Sequence, residues 1–457
     1  MNWVYRLITL FVSLSGIFVS YAMEPPPGSL VQTIAPWQNN AHQQYLVKPA
    51  SITKLLTATA AWQTLGPKFV FKTSLHYRKI AAHQADVQLV FSGDPTLKLD
   101  DLINLIGQLK RLGITQIRHF QIDDSRYGGH QWGLGQVWND HGICFAAPIN
   151  AAIVDHNCVL GNLKPTEIGQ PGRLYVASFA GVSFSNQTIT TKTEDNCEPL
   201  HAVNSDNHFR LYGCIGEDHI VLPLAFSVVN VPAYITALVK KIMADAHIDL
   251  VDKIRFAKVI KPYPNMFTHS SQPLSKLLHT MLKHSDNVIA DSLTKQLAYV
   301  TTGRSGTFKA GVKVIWQVLA EHHIDRENQV LNDGSGLSRE NLIYPETVYK
   351  VLRLWLDNPK FHPLIANLPV AGVDGTLRYR SSVMSPPLRG HIIAKTGSMN
   401  GVSNLAGFLK IKSQLVPFVI MSNQVSSSNP NESAVTIMKE NETKWLTNGM
   451  IHYEKRH

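Results

Sequence analysis

Three short motifs, far apart in the chain, limit the ways it can fold. "LVKPASITKLLTATAAWQ" sets Ser51 and Lys54 three apart at the head of an apolar run. "MLKHSDNVIADSL" carries Ser285-Asp286-Asn287 into a second helical stretch, and "AKTGS" puts Lys395-Thr396-Gly397 on an expected strand before a loop. Each has an ordinary structural explanation by itself. Ser51 and Ser285-Asp286-Asn287 both suit helix N-termini, and Lys-Thr-Gly is a common strand-to-turn tripeptide. All three in this order, each on a suitable element, is a much rarer coincidence. More than two hundred residues separate Ser51 from Ser285. A fold that joins the motifs must therefore carry a large insert after its first helix.

Size and composition leave room for that insert. At 457 residues, two or three domains are expected, and 44% hydrophobic against 17% charged residues describes a globular chain with sizeable cores. The opening "MNWVYRLITLFVSLSGIFVSYAMEPPPG" reads as a signal peptide over 1–22. Arg6 is its positive end, Leu7 to Val19 its apolar core, and Ser20 and Ala22 its small residues before the cut. The apolar core is short for a membrane span and Pro25–Pro27 follows at once, so an exported protein without a stable transmembrane anchor is expected. The formal charge of +10 is carried by dispersed Lys and Arg, which excludes a nucleic-acid stripe and leaves steering toward an anionic surface or polymer. All four cysteines, Cys144, Cys158, Cys197 and Cys214, fall in one region. In an exported chain this favours disulfides; of the three pairings, sequence neighbours (144–158 and 197–214) are the simplest. Neither a Cys-x-x-Cys nor a convincing His pair at ligand spacing occurs, so no metal and no cofactor are expected.

Local patterns divide the chain further. Residues 23–68 give an extended entry and the helix of the first motif. Strands follow in "FVFKTSLHYRKIAAHQADVQLVFSGDPTL", and "LDDLINLIGQLKRLGI" has helical spacing before the strand "QIRHFQIDDS", so 86–124 predicts a β-α-β unit. From 125 to about 230 the chain is Gly-, Pro- and Asn-rich with short strands and holds the cysteines. Helical periodicity returns at "YITALVKKIMADAHI" and over 274–298. The insert is expected over 69–245, with the surrounding domain resuming over 246–457.

The motif set resembles that of penicillin-recognising serine enzymes, Ser-x-x-Lys, Ser-x-Asn and Lys-Thr-Gly. Acyl transfer needs an activated hydroxyl, a proton shuttle and donors for an oxyanion. Residues three apart share a helix face, so Lys54 can sit beside the Ser51 nucleophile as its base. Partial desolvation and a second cation, Lys395, would lower the Lys54 pKa. Ser285 is expected to relay a proton between Lys54 and the leaving nitrogen, and Asn287 to hold Lys54 and a substrate amide. Thr396 and Ser398 offer hydroxyls to a substrate carboxylate, the strand after Gly397 can pair with a peptide, and the N–H groups of Ser51 and Ser398 are the expected oxyanion donors.

"PASITKLLTATAA", "SGDPTL", "WNDHGICFAAPINAAIVDHNC", "MLKHSDNVIAD", "NDGSGLSRENLI", "LPVAGVDGTLRYR" and "AKTGSMNGVSNLAGF" extend the resemblance over nearly all the mature chain. Together they are similar to the D-alanyl-D-alanine carboxypeptidase/endopeptidases of the penicillin-binding protein 4 type. That resemblance implies an α+β transpeptidase-like domain split by smaller inserted domains. It also implies a periplasmic enzyme acting on peptidoglycan stem peptides, with β-lactams as inhibitors. Asp140 with Phe145 beside it, and Arg339, match family positions that face the ammonium and carboxylate of a diaminopimelate side chain. Asn400 stands where members often carry Gln, which puts one side-chain contact in doubt. The remaining Gly and Asp of "NDGSGLSR" and "AGVDGTLRYR" are expected to make tight turns. A β-lactamase or esterase on the same fold, or a non-catalytic peptidoglycan-binding or penicillin-sensing protein, are the alternatives; oligomeric state is open.

Overall fold

The computed structural model describes residues 29–37, 45–176, 181–193, 197–425 and 434–456; the expected signal peptide lies outside them. Residues early and late in the described chain meet in one antiparallel sheet. Leu30–Ile34 pairs with Gln414–Asn423, which pairs with Val402–Ile411, which pairs with the edge strand Ile392–Met399. Nearly every residue of Val402–Ile411 is buried, because helices cover both faces of the sheet. On one face lies the helix Thr53–Leu65, ten of whose thirteen residues are buried. It is surrounded by Leu274–His284, Asn287–Thr302, Phe308–Ala320 and Pro345–Asp357, whose apolar sides share a core with Ala406, Phe408, Val419 and Met421. A helix enclosed on all sides needs small side chains, which accounts for its Ala- and Thr-rich sequence. The helix Ala434–Arg456 covers the other face, packing Trp445 and Leu446 on Phe418 and Trp37.

Between these halves lie three further sheets. A mixed sheet contains Lys72–Ala81, Gln84–Val90 and Gln116–Asp123. Gln84–Val90 and Gln116–Asp123 run parallel with the helix Leu99–Arg111 between them, a β-α-β unit. The same sheet takes in Asp249–Leu250, Arg255–Phe256 and Asn265–Ser270. The surrounding domain is expected to resume at 246; pairing with this sheet continues to Ser270. Those late strands are two to six residues long and polar, and only long-range pairing defines them. The other two sheets are three-stranded, Leu222–Ser227 with Cys158–Lys164 and Arg173–Val176, and Ser183–Thr191 with His208–Gly216 and His201–Ser205. Each is tied by a disulfide between sequence neighbours, Cys144–Cys158 and Cys197–Cys214.

The helical stretch over 274–298 is broken. Ser285 adopts a left-handed conformation (φ 61°, ψ 36°) that ends Leu274–His284, and Asp286 caps the next helix by accepting the Ile289 N–H at 2.8 Å. Periodicity continues across the break because both helices bury their apolar sides in one core.

Candidate active site

The turn Ala50–Ile52 precedes the helix Thr53–Leu65, and Ala50 is itself left-handed (φ 47°). Two buried asparagines hold this turn to the sheet. Asn404 donates to the carbonyls of Lys48 (3.0 Å) and Pro49 (2.9 Å), and Asn423 accepts the Lys48 N–H at 2.7 Å. Gly397 presses the edge strand against the same turn, where a Cβ would lie 2.6 Å from the Pro49 carbonyl oxygen. Ser51 makes no helix-capping bond; instead its Oγ accepts from Lys54 Nζ at 2.9 Å.

Lys54 is fully buried and donates twice more, to Asn287 Oδ1 at 2.6 Å and the Ser335 carbonyl at 2.7 Å. Burial pushes its pKa down to about 8, against the opposing pull of Asp291, Asp333 and Asp286. Lys395, also fully buried, donates to Ser285 Oγ at 2.8 Å and to the Thr396 carbonyl at 2.9 Å. Burial and then the charge of Lys54 hold Lys395 well below the ordinary lysine range. This differs from expectation in two ways. Burial is what lowers Lys54, whereas at Lys395 burial is joined by the charge of Lys54. And Ser285 bonds Lys395, not Lys54, because its left-handed backbone turns the hydroxyl toward the strand.

Asn287 joins two domains. Its Oδ1 takes the Lys54 proton donor and its Nδ2 donates to the Phe145 carbonyl at 2.9 Å, in the turn that Cys144–Cys158 closes. Phe145, His156, Leu160 and Ser285–Asn287 line a cleft of about 650 Å³. Within it His156 contacts Asp286 at 3.3 Å. Burial would raise the Asp286 carboxyl, but the hydrogen bond and charge of His156, the Ile289 N–H and the charge of Lys54 together hold it below its usual range. The same bond raises His156. Thr396 donates to Thr376 Oγ1 at 3.0 Å, and Ser398 and Asn400 are exposed. Asp140 closes the turn Trp138–Asp140, and the exposed Arg339 donates its main-chain N–H to the Gly135 carbonyl at 2.9 Å. Among the described residues, neither of these side chains bonds to the Ser51 cluster.

A family model described as the D-Ala-D-Ala carboxypeptidase 3 (S13) family matches residues 30–443. The chain belongs to this family. Among relatives, it is 34% identical over 390 residues to D-alanyl-D-alanine carboxypeptidase DacB of Haemophilus influenzae, covering 83% of this chain and 81% of that one. The crystal structure of penicillin binding protein 4 from the same organism superposes with a TM-score of 0.84 at 32% identity, over 93% of this chain and 97% of the other. The structure of that protein complexed with a β-lactam gives 0.79 at 31% identity, over the same shares of the two chains. The mixed α/β architecture with a transpeptidase-like domain and additional domains is that of this family.

Family membership gives weight to residues that sequence reasoning passed over as turn formers. Asp333 organises "NDGSGLSR": it accepts the Gly336 and Ser338 N–H groups at 2.9 and 2.7 Å and the Asn341 amide at 2.8 Å. Gly336 (φ +85°) lies where a Cβ would meet the Ala50 carbonyl oxygen at 1.9 Å, so the loop can approach the Ser51 turn only with glycine there. Buried Asp291 accepts the N–H groups of Gly334 (2.9 Å) and Ser335 (2.8 Å), which sets the Ser335 carbonyl against Lys54. One signal was legible: Asp291 stands four residues after Asn287, on the same helix face.

Proposed function

We propose that the protein is a penicillin-sensitive serine DD-peptidase that cleaves peptidoglycan stem peptides through an acyl-enzyme on Ser51. The observation that carries this reading is the set of three acceptors around Lys54. An ammonium uses all three N–H donors on Ser51, Asn287 and Ser335. Once neutral, Lys54 keeps two N–H bonds, to Asn287 and the Ser335 carbonyl, and turns its lone pair to the Ser51 hydroxyl. A pKa of about 8 makes that neutral form available near physiological pH.

Ser51 Oγ then loses its proton to Lys54 and attacks the carbonyl of the penultimate D-Ala. The N–H groups of Ser51 and Ser398 receive the oxyanion. Ser285 gives its proton to the leaving nitrogen and takes one in return from the Lys54 ammonium, so that Lys54 is neutral again when water releases the acyl group. Substrate would lie along the outer edge of Ile392–Met399. That edge is covered by residues 369–371 only as far as Ala394 and has no strand partner beyond it among the described residues. An extended peptide can add to such an edge, with Thr396, Ser398 and Lys395 meeting its terminal carboxylate. When the leaving group is D-Ala the enzyme is a carboxypeptidase; when it is a cross-linking diaminopimelate it is an endopeptidase, with Asp140, Phe145, Arg339 and Asn400 facing the side chain. β-Lactams acylate Ser51, as supported by the complex of the Haemophilus influenzae relative, and the protein works in the periplasm.

Digestion of pentapeptide and of cross-linked muropeptides, with product masses read for loss of D-Ala and for cleaved dimers, tests both activities. Ser51→Ala is expected to abolish them along with covalent labelling by penicillin. Unchanged D-Ala release by that variant refutes the mechanism, and rapid turnover of a chromogenic cephalosporin by the native protein would favour a β-lactamase.

A further inference from the structure

The three-stranded sheet Leu222–Ser227, Cys158–Lys164 and Arg173–Val176 begins in the wall of the active cleft, where Cys158 and Leu160 stand beside Ser285–Asn287. It then runs outward. At about 3.3 Å per residue, Lys164 lies roughly 20 Å along the strand from Cys158. Alternation is strict: Val159, Gly161 and Leu163 are buried, and Leu160, Asn162 and Lys164 are exposed. The register puts Tyr175 opposite Asn162 and Arg173 opposite Lys164, on the same outer face. Leu160 also belongs to a second groove of about 640 Å³ that includes Asn162, Tyr175 and Pro223, so it borders both the cleft and the groove.

The chemistry of this face does not serve the fold. Like charges directly opposite on neighbouring strands are destabilising, yet Lys164 and Arg173 form such a pair and neither has a carboxylate partner among the described residues. Leu160 and Tyr175 are 67% and 46% exposed, and the Lys164 ammonium stands 5.6 Å from the Tyr175 ring centroid. Two cations without a carboxylate partner among the described residues, an amide and an exposed aromatic ring match a ligand with carboxylates, hydrogen-bonding groups and flat C–H surfaces.

We propose that this sheet face is a second binding surface for the polymeric substrate. It holds the anionic sugar–peptide strand of peptidoglycan outside the cleft while Ser51 works on the end of one stem peptide. The inference rests on the peptidoglycan reading above. It adds that the insert grips the polymer: carboxylates of uncut stem peptides meet Lys164 and Arg173, and a sugar or peptide face lies on Tyr175 and Leu160. Because the cations are exposed, their contribution should be steep in salt.

The test compares native protein with Lys164→Glu/Arg173→Glu and with Tyr175→Ala on three substrates: a β-lactam, a soluble pentapeptide and isolated sacculi. Acylation by the β-lactam and kcat/KM for the pentapeptide are expected to stay within about twofold, which also shows that the variants fold. D-Ala release from sacculi is expected to fall about tenfold in the charge-reversed variant at low salt, and the native rate on sacculi to lose that advantage as salt rises. Co-sedimentation of penicillin-blocked protein with sacculi should show the same difference with chemistry removed. Equal losses on pentapeptide and sacculi, or unchanged activity and sedimentation with sacculi, overturn the proposal. So does loss of binding to phosphatidylglycerol vesicles with sacculus binding intact, which would assign the face to lipid. A native protein inactive on pentapeptide would refute the peptidase reading itself, a separate outcome.

Discussion

Asp291→Asn separates geometry from charge at the proposed base. Both N–H groups that Asp291 accepts, from Gly334 at 2.9 Å and Ser335 at 2.8 Å, end on the same oxygen, Oδ1. An asparagine carbonyl in that place keeps both bonds, so the Ser335 carbonyl stays against Lys54. Only the charge is lost. Asp291 is the first of three carboxylates that hold Lys54 up against burial, so its removal must lower the Lys54 pKa. An opposite charge within about 4–6 Å moves a pKa by roughly 1–3 units; with a peptide group between them, about one unit is reasonable here. Burial, with Asp333 beside it, raises Asp291 to about 7, so it is ionised where Lys54, at about 8, titrates.

The acid limb of the acylation profile should therefore move down by about one pH unit in Asp291→Asn. At pH 7 a lysine titrating near 8 is about one-tenth neutral and one titrating near 7 about half neutral, so the gain is at most about fivefold, reduced because a weaker base transfers protons less well. The second-order rate of β-lactam acylation, followed by stopped flow from roughly pH 6 to 10, reads the limb directly. Asp291→Ala, which removes charge and acceptor together, should instead lose activity across the range. An unmoved limb in Asp291→Asn, or one displaced upward, with the melting temperature retained, refutes the coupling of Asp291 to Lys54.

Two further substitutions probe how the site is held. Gly397→Ala places a Cβ 2.6 Å from the Pro49 carbonyl oxygen and 2.9 Å from Ile52 Cγ1. Overpacking of about 1–3 kcal/mol is expected in urea melts, with acylation slowed on the order of a hundredfold as the Ser51 turn is pushed away; native-like acylation would show that the strand does not set Ser51. Arg380 and Glu442 form a buried ion pair at 2.7 Å that attaches the C-terminal helix to the loop before the edge strand. Arg380→Met should cost about 3–5 kcal/mol by stranding Glu442, and Arg380→Met/Glu442→Leu should recover most of it in the same melts.

The three motifs and their elements were legible because each is local. Ser51 and Lys54 share a face by helix geometry alone, Asp286 is an ordinary N-cap, and Lys395-Thr396-Gly397 lies on a strand before a turn. The pairing of neighbouring cysteines and the β-α-β unit were equally local. The start of a helix at Ser285-Asp286-Asn287 was legible too, but the left-handed backbone of Ser285 was not, because apolar periodicity runs through both helices of one core. Strands of two residues, such as Asp249–Leu250, exist only through their partners, so their place in the sheet was not legible.

Residue identity, order and spacing were enough to set a serine beside a lysine and to indicate a domain divided by a long insert. Which group touches which was decided only by the fold. Lys54 takes its third acceptor from Ser335, 281 residues away, and Ser285 gives its hydroxyl to Lys395 rather than Lys54. Burial then fixes how readily each lysine loses its proton, and burial depends on every element around the site. Local sequence specifies the chemical groups; desolvation and long-range hydrogen bonds, which exist only in the packed molecule, determine which of them can act as base, relay or anchor.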